Sequence, residues 1–378
     1  MEKKSVKRIK IALVFGTRPE AIKMCPLILE LQKHKQIDCQ IYLTGQHREM
    51  LKQVMDIFGI CADYNLDIMG ENQNLSSILI NILDKLGQVL DKDRPDLLLV
   101  HGDTSTSFAA ALAGFYRKIP IGHVEAGLRT YNMKSPYPEE FNRQVVDLIA
   151  DLFFAPTELA RKQLLQEGKK VENIFVTGNT VIDALKNTVS PEYCNEYLTW
   201  AHDSKLILFT AHRRENIGKP MENMFRAVKR VVKDFPEVKI IYPIHKNPKV
   251  REIAYKLLGD EARIRMIEPL DVYDFHNFMA QSYFIMTDSG GIQEEAPALG
   301  RPVLVMRDTT ERPEGVEAGT LKLVGTNEEV VYQEAKRLLL DEKEYHNMCR
   351  AINPYGDGHA SEKITEAILN YFQNKESE

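Results

Sequence analysis

Three acidic residues stand where a reacting group would meet them. His101-Gly102-Asp103 follows the apolar run Leu97 to Val100, and His123-Val124-Glu125 closes the run Pro120 to Val124. Glu139 lies in the Pro-punctuated stretch Ser135 to Arg143 that leads into a helix. Carboxylates gathered at one rim raise one another's pKa by repulsion and desolvation, so that an acid can hold or accept a proton near neutral pH. Proton abstraction from carbon is the chemistry this suits. Plainer readings stand beside it. Asp103 could be the N-cap of the helix over Phe108 to Tyr116, since Asp is favoured there, and Glu140 with Arg143 could be a surface ion pair. The His-x-acid pairs His101/Asp103 and His123/Glu125 would also suit a metal, because residues i and i+2 of a strand share a side. Acid/base use ranks above that metal site.

A second set of residues suits anions. Gly16-Thr17-Arg18-Pro19-Glu20 has capping-box spacing between Thr17 and Glu20, and it puts Arg18 and Lys23 near a helix N-terminus. Ala211-His212-Arg213-Arg214 sets a His beside two guanidinium groups whose fork geometry matches phosphate oxygens. Asp288-Ser289-Gly290-Gly291-Ile292-Gln293-Glu294-Glu295 is a small-residue turn entering a helix. Its glycines would let backbone N–H groups approach a diphosphate, and Glu295 could accept ribose hydroxyls. An ordinary strand-to-helix turn would carry glycines as well. Arg307 and Arg312 could complete the cationic side.

The elements that must position these residues are legible as a βαβ rhythm. Strand-length apolar runs fall at Ile9 to Phe15, Cys39 to Leu43, Leu97 to Val100, Pro120 to Val124, Leu152 to Ala155 and Ile174 to Thr177, with helical segments such as Ala21 to Leu31 between them. The rhythm breaks between about Asn187 and Ser204, around Ser190-Pro191. It resumes at Leu206 to Thr210, Lys239 to Pro243, Arg263 to Met266, Tyr283 to Thr287 and Pro302 to Val305. The expectation is two Rossmann-like domains with parallel sheets, 1–187 and 204–360. The last helix, within 361–378, is expected to cross back onto the first domain. In open α/β sheets ligands bind beyond the carboxyl ends of strands, where both sets of residues lie. A cleft between the domains is the expected site, with closure about the 187–204 linker.

Whole-chain properties exclude several classes. With 378 residues the chain is too long for one ordinary core. Its content, 44% hydrophobic and 27% charged, is that of a globular protein. A formal charge of −5, with Lys and Arg scattered, argues against nucleic acid as a partner. The five cysteines lack the C-x-x-C spacing of zinc or redox motifs, and no apolar run approaches the ~20 residues of a membrane span. The basic start is followed by a strand-like run rather than a secretory h-region, which points to the cytoplasm. The absence of G-x-G-x-x-G after the first strand weighs against a nicotinamide or flavin dehydrogenase.

Taken in order, seven segments resemble the non-hydrolysing UDP-N-acetylglucosamine 2-epimerase family: VFGTRPEAIK, TGQHREML, HGDTSTS, GHVEAGLRT, PYPEEFNR, TAHRREN and TDSGGIQEEAPALGRPVLVMRDTTERPEG. The resemblance covers nearly the whole chain and implies a glycosyltransferase-B-type pair of domains. By it, Asp103, Glu125, Glu139 and His212 match catalytic positions, and Arg18 and Lys23 match cations facing the substrate. Ser289, Gly290, Gly291, Glu295 and Arg312 match UDP contacts, with Leu270 and Phe275 where uracil is held. The implied reaction is reversible inversion at C2 of the sugar, giving UDP-N-acetylmannosamine. It proceeds by elimination of UDP to a 2-acetamidoglucal and re-addition, without metal or nicotinamide. The resemblance further implies a homodimer whose product feeds surface-polysaccharide synthesis.

Regulated bacterial members resemble one another in a second site, where substrate is also an activator; Gln46, Arg213 and His245 match it here. Glu49 and Asn72 stand where that pattern commonly has Gln and Arg, which removes a cation and adds a carboxylate near a diphosphate. The match therefore does not by itself imply activation by substrate. Other activities on the same fold stay open: a hydrolysing 2-epimerase releasing UDP and N-acetylmannosamine, a glycosyltransferase, or a non-catalytic sensor. Three acids exceed what a single-base transferase needs. Asp91-Lys92-Asp93 has the D-x-D form of a metal motif but is expected at a solvated helix end.

Overall fold

The structure, a computed structural model, describes residues 8–46, 48–70, 74–310 and 312–377. Its apolar runs become two parallel sheets. The first contains β1 (Ile9–Phe15), β2 (Ile37–Leu43), β3 (Tyr64–Asn65), β4 (Leu97–His101), β5 (Ile121–Val124), β6 (Leu152–Ala155) and β7 (Ile174–Val176), ordered β3-β2-β1-β4-β5-β6-β7. The second contains β8 (Lys205–Thr210), β9 (Val238–Pro243), β10 (Ile264–Ile267), β11 (Phe284–Thr287), β12 (Val303–Val305) and β13 (Leu321–Leu323), ordered β10-β9-β8-β11-β12-β13. Each strand expected from an apolar run is present. Ile11 to Phe15 and Leu97 to Val100 are wholly buried, because helices cover both faces of a parallel sheet and leave no polar side for these residues to show. β3 and β13 were not expected; Tyr64-Asn65 is two residues long and Lys322 interrupts Leu321 to Leu323, so neither makes an apolar run.

Helices α1 (Arg18–Gln32), α2 (Arg48–Phe58), α3 (Leu75–Asp93), α4 (Ser105–Phe115), α5 (Glu139–Ile149), α6 (Glu158–Gln166) and α7 (Thr180–Thr188) accompany the first sheet. Next come α8 (Glu196–Ala201), α9 (Lys219–Asp234), α10 (Pro248–Leu258), α11 (Val272–Gln281) and α12 (Ile292–Ala298) of the second. Strand order reverses once in each sheet, between β1 and β4 and between β8 and β11. The connections there leave in opposite directions and open a crevice at the strands' carboxyl ends. Asp91-Lys92-Asp93 closes α3, where Asp91 pairs with Arg117 at 2.8 Å. No helix among the described residues is long and apolar enough to cross a membrane.

The chain divides into two compact units, Met1–Asn187 with Tyr355–Glu378, and Thr188–Pro354. The segment 188–203, read from sequence as a linker, therefore goes with the second unit. Its α8 buries Leu198 and Ala201 in that unit's core. Thr188 Oγ1 lies 2.6 Å from His276 Nδ1, and the Ser190 N–H donates to Asn277 Oδ1 at 2.8 Å. The return to the first unit begins at Tyr355, before the C-terminal helix (Ala360–Ser377) starts. Tyr355 O accepts the Asn179 N–H at 2.7 Å, and Asp183 caps that helix through the N–H groups of Ala360 and Ser361 at 3.2 and 2.8 Å.

Candidate functional site

In the first unit Asp103 follows β4, which borders the switch point, Glu125 follows the neighbouring β5, and Glu139 opens α5. Glu125, just beyond β5, has φ 65°, a left-handed conformation that costs a non-glycine residue on the order of 1 kcal/mol or more. Its carboxylate is held in place by its neighbours: Oε1 takes the ammonium of Lys23 on α1 and the side-chain amide of Asn179 at 2.9 Å. Oε2 lies 3.7 Å from His101 Nε2. A Cβ on Gly102, itself at φ 61°, would come within 3.2 Å of Oε2, so the loop carrying Asp103 runs directly beside Glu125.

Asp103 does not cap α4. Thr104 does, its hydroxyl accepting the Ser107 N–H at 3.1 Å. With the cap made one residue later, the Asp103 carboxylate is released to pair with the Arg143 guanidinium, and Asp103 O accepts Asn142 Nδ2 at 2.8 Å. Glu139, Asn142 and Arg143 are spaced i, i+3 and i+4 on α5 and so share a face, which puts Glu139 on the side of α5 that grips Asp103. Glu139 is half-buried, and no partner holds its carboxylate among the described residues. The acids thus converge, but Asp103 and Glu125 are each joined to a cation rather than to another carboxylate.

Glu140 and Arg143 are not a surface pair. Glu140 is fully buried, accepting the N–H groups of Thr130 and Tyr131 at 3.0 and 2.9 Å, and Arg143 is 12% exposed. Burial alone would raise the Glu140 pKa; bonds from Gln144, those two N–H groups and the Arg143 charge outweigh it and hold the carboxyl below its ordinary value. His123 meets Asp147 Oδ1 through Nδ1 at 2.6 Å and Gly102 O through Nε2 at 2.8 Å. Both ring nitrogens are engaged, so the ring clamps the Asp103 loop and has no lone pair directed at a metal. No cluster of His, Cys, Asp and Glu suited to a metal occurs among the described residues.

The β1–α1 turn is tied to the same loop. Glu20 completes the capping box with Thr17, and its buried carboxylate also accepts the hydroxyls of Thr104 at 2.6 Å and Ser107 at 3.0 Å. A Cβ at Gly16 would lie 1.8 Å from Thr44 Oγ1, so only glycine fits there. Thr44 in turn meets Thr106 at 3.1 Å, and Thr106 meets Gln46 Oε1 at 3.2 Å, which seats Gln46 beside the start of α4. Arg18 is exposed at the first residue of α1, and Glu49 is exposed on α2. Asn72 lies outside the described residues.

The second unit's switch point gathers cations and free N–H groups. His212 follows β8 and Asp288 follows β11. The buried Asp288 carboxylate accepts the N–H of His212 at 3.0 Å, the N–H of Arg213 at 2.9 Å and the Asn216 amide at 3.2 Å. His212 Nδ1 stands 3.4 Å from Asp288 Oδ1. Burial lowers the His212 pKa; Asp288 opposes this, while His245 and Arg213 add to it. The rings of His212 and His245 stack at 5.6 Å, and the guanidinium groups of Arg213 and Arg312 lie within 4 Å of where a Gly290 Cβ would be. Arg213 and His245, matched to the second site, therefore adjoin the residues matched to catalysis and UDP.

In the glycine turn the Ser289 N–H is engaged by Thr287 Oγ1 at 2.9 Å, while those of Gly290 and Gly291 have no internal partner among the described residues. Arg312 donates to Glu294 Oε1 at 2.7 Å, a buried carboxylate that sequence reasoning passed over for its neighbour. Glu295 instead faces His276 Nε2 at 3.6 Å. Leu270 and Phe275 are half-buried at the start of α11 against the core. Arg307 is 8% exposed, so only Arg312 of that pair reaches the turn's surface. Asn179 was missed outright, while Arg143, His101, Asp288 and Glu294 were noticed in the sequence but given another role or none.

A family model described as UDP-N-acetylglucosamine 2-epimerase matches residues 29–369. A Bacillus subtilis protein named UDP-N-acetylglucosamine 2-epimerase is 58% identical over 97% of both chains. The solved structure of S. aureus MnaA with UDP is 57% identical and superposes with a TM-score of 0.87 over 96% of this chain and 97% of that one. A Neisseria meningitidis UDP-GlcNAc 2-epimerase bound to UDP-GlcNAc is 48% identical, with a TM-score of 0.86 over 96% and 100%.

Proposed function

Because the chain belongs to the UDP-N-acetylglucosamine 2-epimerase family, we propose that it inverts C2 of UDP-N-acetylglucosamine reversibly without releasing free sugar. The observation that carries this reading is the set of carboxylates around the first switch point: Glu125 at a strained φ beside Lys23 and Asn179, Asp103 on Arg143, and Glu139 on the same face of α5. Inversion needs a base on one face of C2 and an acid on the other, so more than one carboxylate has work to do. A C2 proton is not acidic by itself. Its removal must be coupled to breaking the C1–O bond, which moves the electron pair into a C1–C2 double bond and leaves UDP to carry the charge. Re-addition reverses both steps with the proton delivered to the other face.

UDP binding and departure are assigned to the second unit. Arg312, Arg213 and the N–H groups of Gly290 and Gly291 are suited to hold a diphosphate, and donors fixed in advance stabilise charge as it develops. His212, kept neutral by burial, can offer Nε2 to the same ligand. The N. meningitidis relative bound to UDP-GlcNAc supports this substrate class. The family reading extends to a homodimer that needs neither metal nor nicotinamide.

The test is turnover of UDP-N-acetylglucosamine in heavy water followed by proton NMR. The expected product is UDP-N-acetylmannosamine carrying deuterium at C2. Epimerised product without label would remove the mechanism, and accumulation of UDP with free N-acetylmannosamine would make the enzyme a hydrolysing one.

A further inference from the structure

His101 closes β4 with its side chain 5% exposed, and its Nε2 is buried without a hydrogen-bond partner. An orphaned buried polar atom is costly, and in a working site it marks a bond that another state completes. Glu125 Oε2 lies 3.7 Å from it, longer than a hydrogen bond. Catalytic bonds are commonly long in the free enzyme and tighten with substrate, and a movement of about 1 Å would close this one. The other Glu125 oxygen is already taken by Lys23 and Asn179.

Resting on the epimerase reading, we propose that His101 is a positioning residue for Glu125: the neutral imidazole donates Nε2–H to Oε2 and fixes which carboxylate oxygen meets the sugar. The ring has a firm base for this. Gly102 N–H donates to Val124 O at 2.9 Å, and His101 O and Glu20 Oε1 share the single O–H of Ser107. Glu125 just beyond β5, Lys23 on α1 and His123 on β5 act on the ring directly; Glu20, Asp147, and the Asp103–Arg143 pair lie one contact further, through Ser107, His123 and the Gly102–Asp103 loop respectively. Burial pushes the imidazole pKa down to about 3; Glu125 opposes that shift, while Lys23 and His123 add to it. The ring is therefore a neutral donor at working pH and not a store for the substrate's proton. A donor on the carboxylate favours its charged form, so His101 extends the action of Glu125 as a base to lower pH.

The experiment is the pH profile of kcat for wild type, His101→Met and His101→Gln, with UDP-N-acetylglucosamine as substrate. His101→Met is expected to lower kcat roughly 10- to 100-fold near neutrality and to move the acid limb to higher pH. His101→Gln, whose amide nitrogen reaches near the imidazole Nε2, should return the limb toward wild type. An acid limb in His101→Met that coincides with wild type overturns the proposal, and a limb that vanishes makes His101 the base itself. Nitrogen-15 NMR of the UDP-bound wild type needs no variant. Nε2 is expected to carry the proton, and a proton on Nδ1 defeats the proposal even if His101→Met does not fold. Failure of wild type to interconvert the two UDP-sugars would remove the underlying reading, whereas an unmoved limb in an active enzyme removes only the role of His101.

Discussion

Asp288 receives the backbone N–H of His212 across the switch point between β8 and β11, 3.1 and 3.0 Å from its two carboxylate oxygens. The strands are neighbours in the sheet but far apart in the chain, so this bond forms only once the sheet has its order. Buried away from water, the carboxylate has the N–H groups of His212 and Arg213 and the Asn216 amide in place of solvation. His212 is presented on a backbone fixed from below, with Nδ1 facing Oδ1, which leaves Nε2 to meet a ligand.

Asp288→Asn should therefore disturb binding and stability together. The amide nitrogen must face at least one of the donors the carboxylate accepted, a loss of about 2 kcal/mol for a charged bond in the interior. UDP affinity by calorimetry is expected to fall tenfold or more, with a lower urea midpoint. A folded variant that binds UDP as tightly as wild type would detach His212 from the nucleotide.

Variants in the acids should separate turnover from binding. Asp103→Asn, Glu125→Gln and Glu139→Gln are each expected to lower kcat by about two orders of magnitude or more, the scale of lost acid/base catalysis. UDP affinity should stay near wild type, because the residues suited to the diphosphate belong to the second unit. Near wild-type rates for all three would end the assignment of proton chemistry to this cluster.

The sequence made some of this plain and hid the rest for physical reasons. Ile9 to Phe15 is legible because a doubly covered strand is apolar throughout, while Tyr64–Asn65 is too short to carry a pattern. Asp103 and Glu125 stand out because strand ends bear ligand-binding residues and carboxylates are reactive. Asn179 follows β7 in the same way, yet an amide raises no chemical flag. The cap of α4 passed from Asp103 to Thr104 because both residues can cap, and only the helix boundary chooses between them. Whether Glu294 or Glu295 meets Arg312 depends on the rotation of α12. Glu140 looked superficial until the loop at Thr130 and Tyr131 closed over it, a contact with no local signature.

Arg143→Lys tests whether Asp103 is aimed or merely neutralised. The guanidinium meets Asp103 with one nitrogen and approaches Glu140 at 3.5 Å with another, a division that a single ammonium cannot reproduce. With the charge kept and the fork lost, kcat is expected to fall roughly tenfold or more while KM changes little. Equal kcat for the two proteins would reduce Arg143 to a counter-charge.

Glu20 offers a test by pH. Its carboxylate accepts the N–H groups of Gly16 and Thr17 and two hydroxyls, yet burial outweighs those donors and raises its pKa above the ordinary 4.5. An acid whose folded value is raised favours the folded state below its unfolded value, and that contribution is lost as pH rises through the folded value. In Glu20→Gln the amide oxygen can keep both N–H donors, and the amide nitrogen can donate to Thr104 and Ser107, whose hydroxyls turn to accept. Relative to wild type the variant should gain stability as pH rises from 4 to 7, read as urea midpoints at each pH. Glu20→Ala, which leaves several buried donors unpaired, is expected to cost about 3 kcal/mol throughout. A Glu20→Gln difference that is flat with pH would mean that the carboxylate's charge is not a cost to the fold, and that the tie between the β1–α1 turn and the Asp103 loop carries no buried charge penalty.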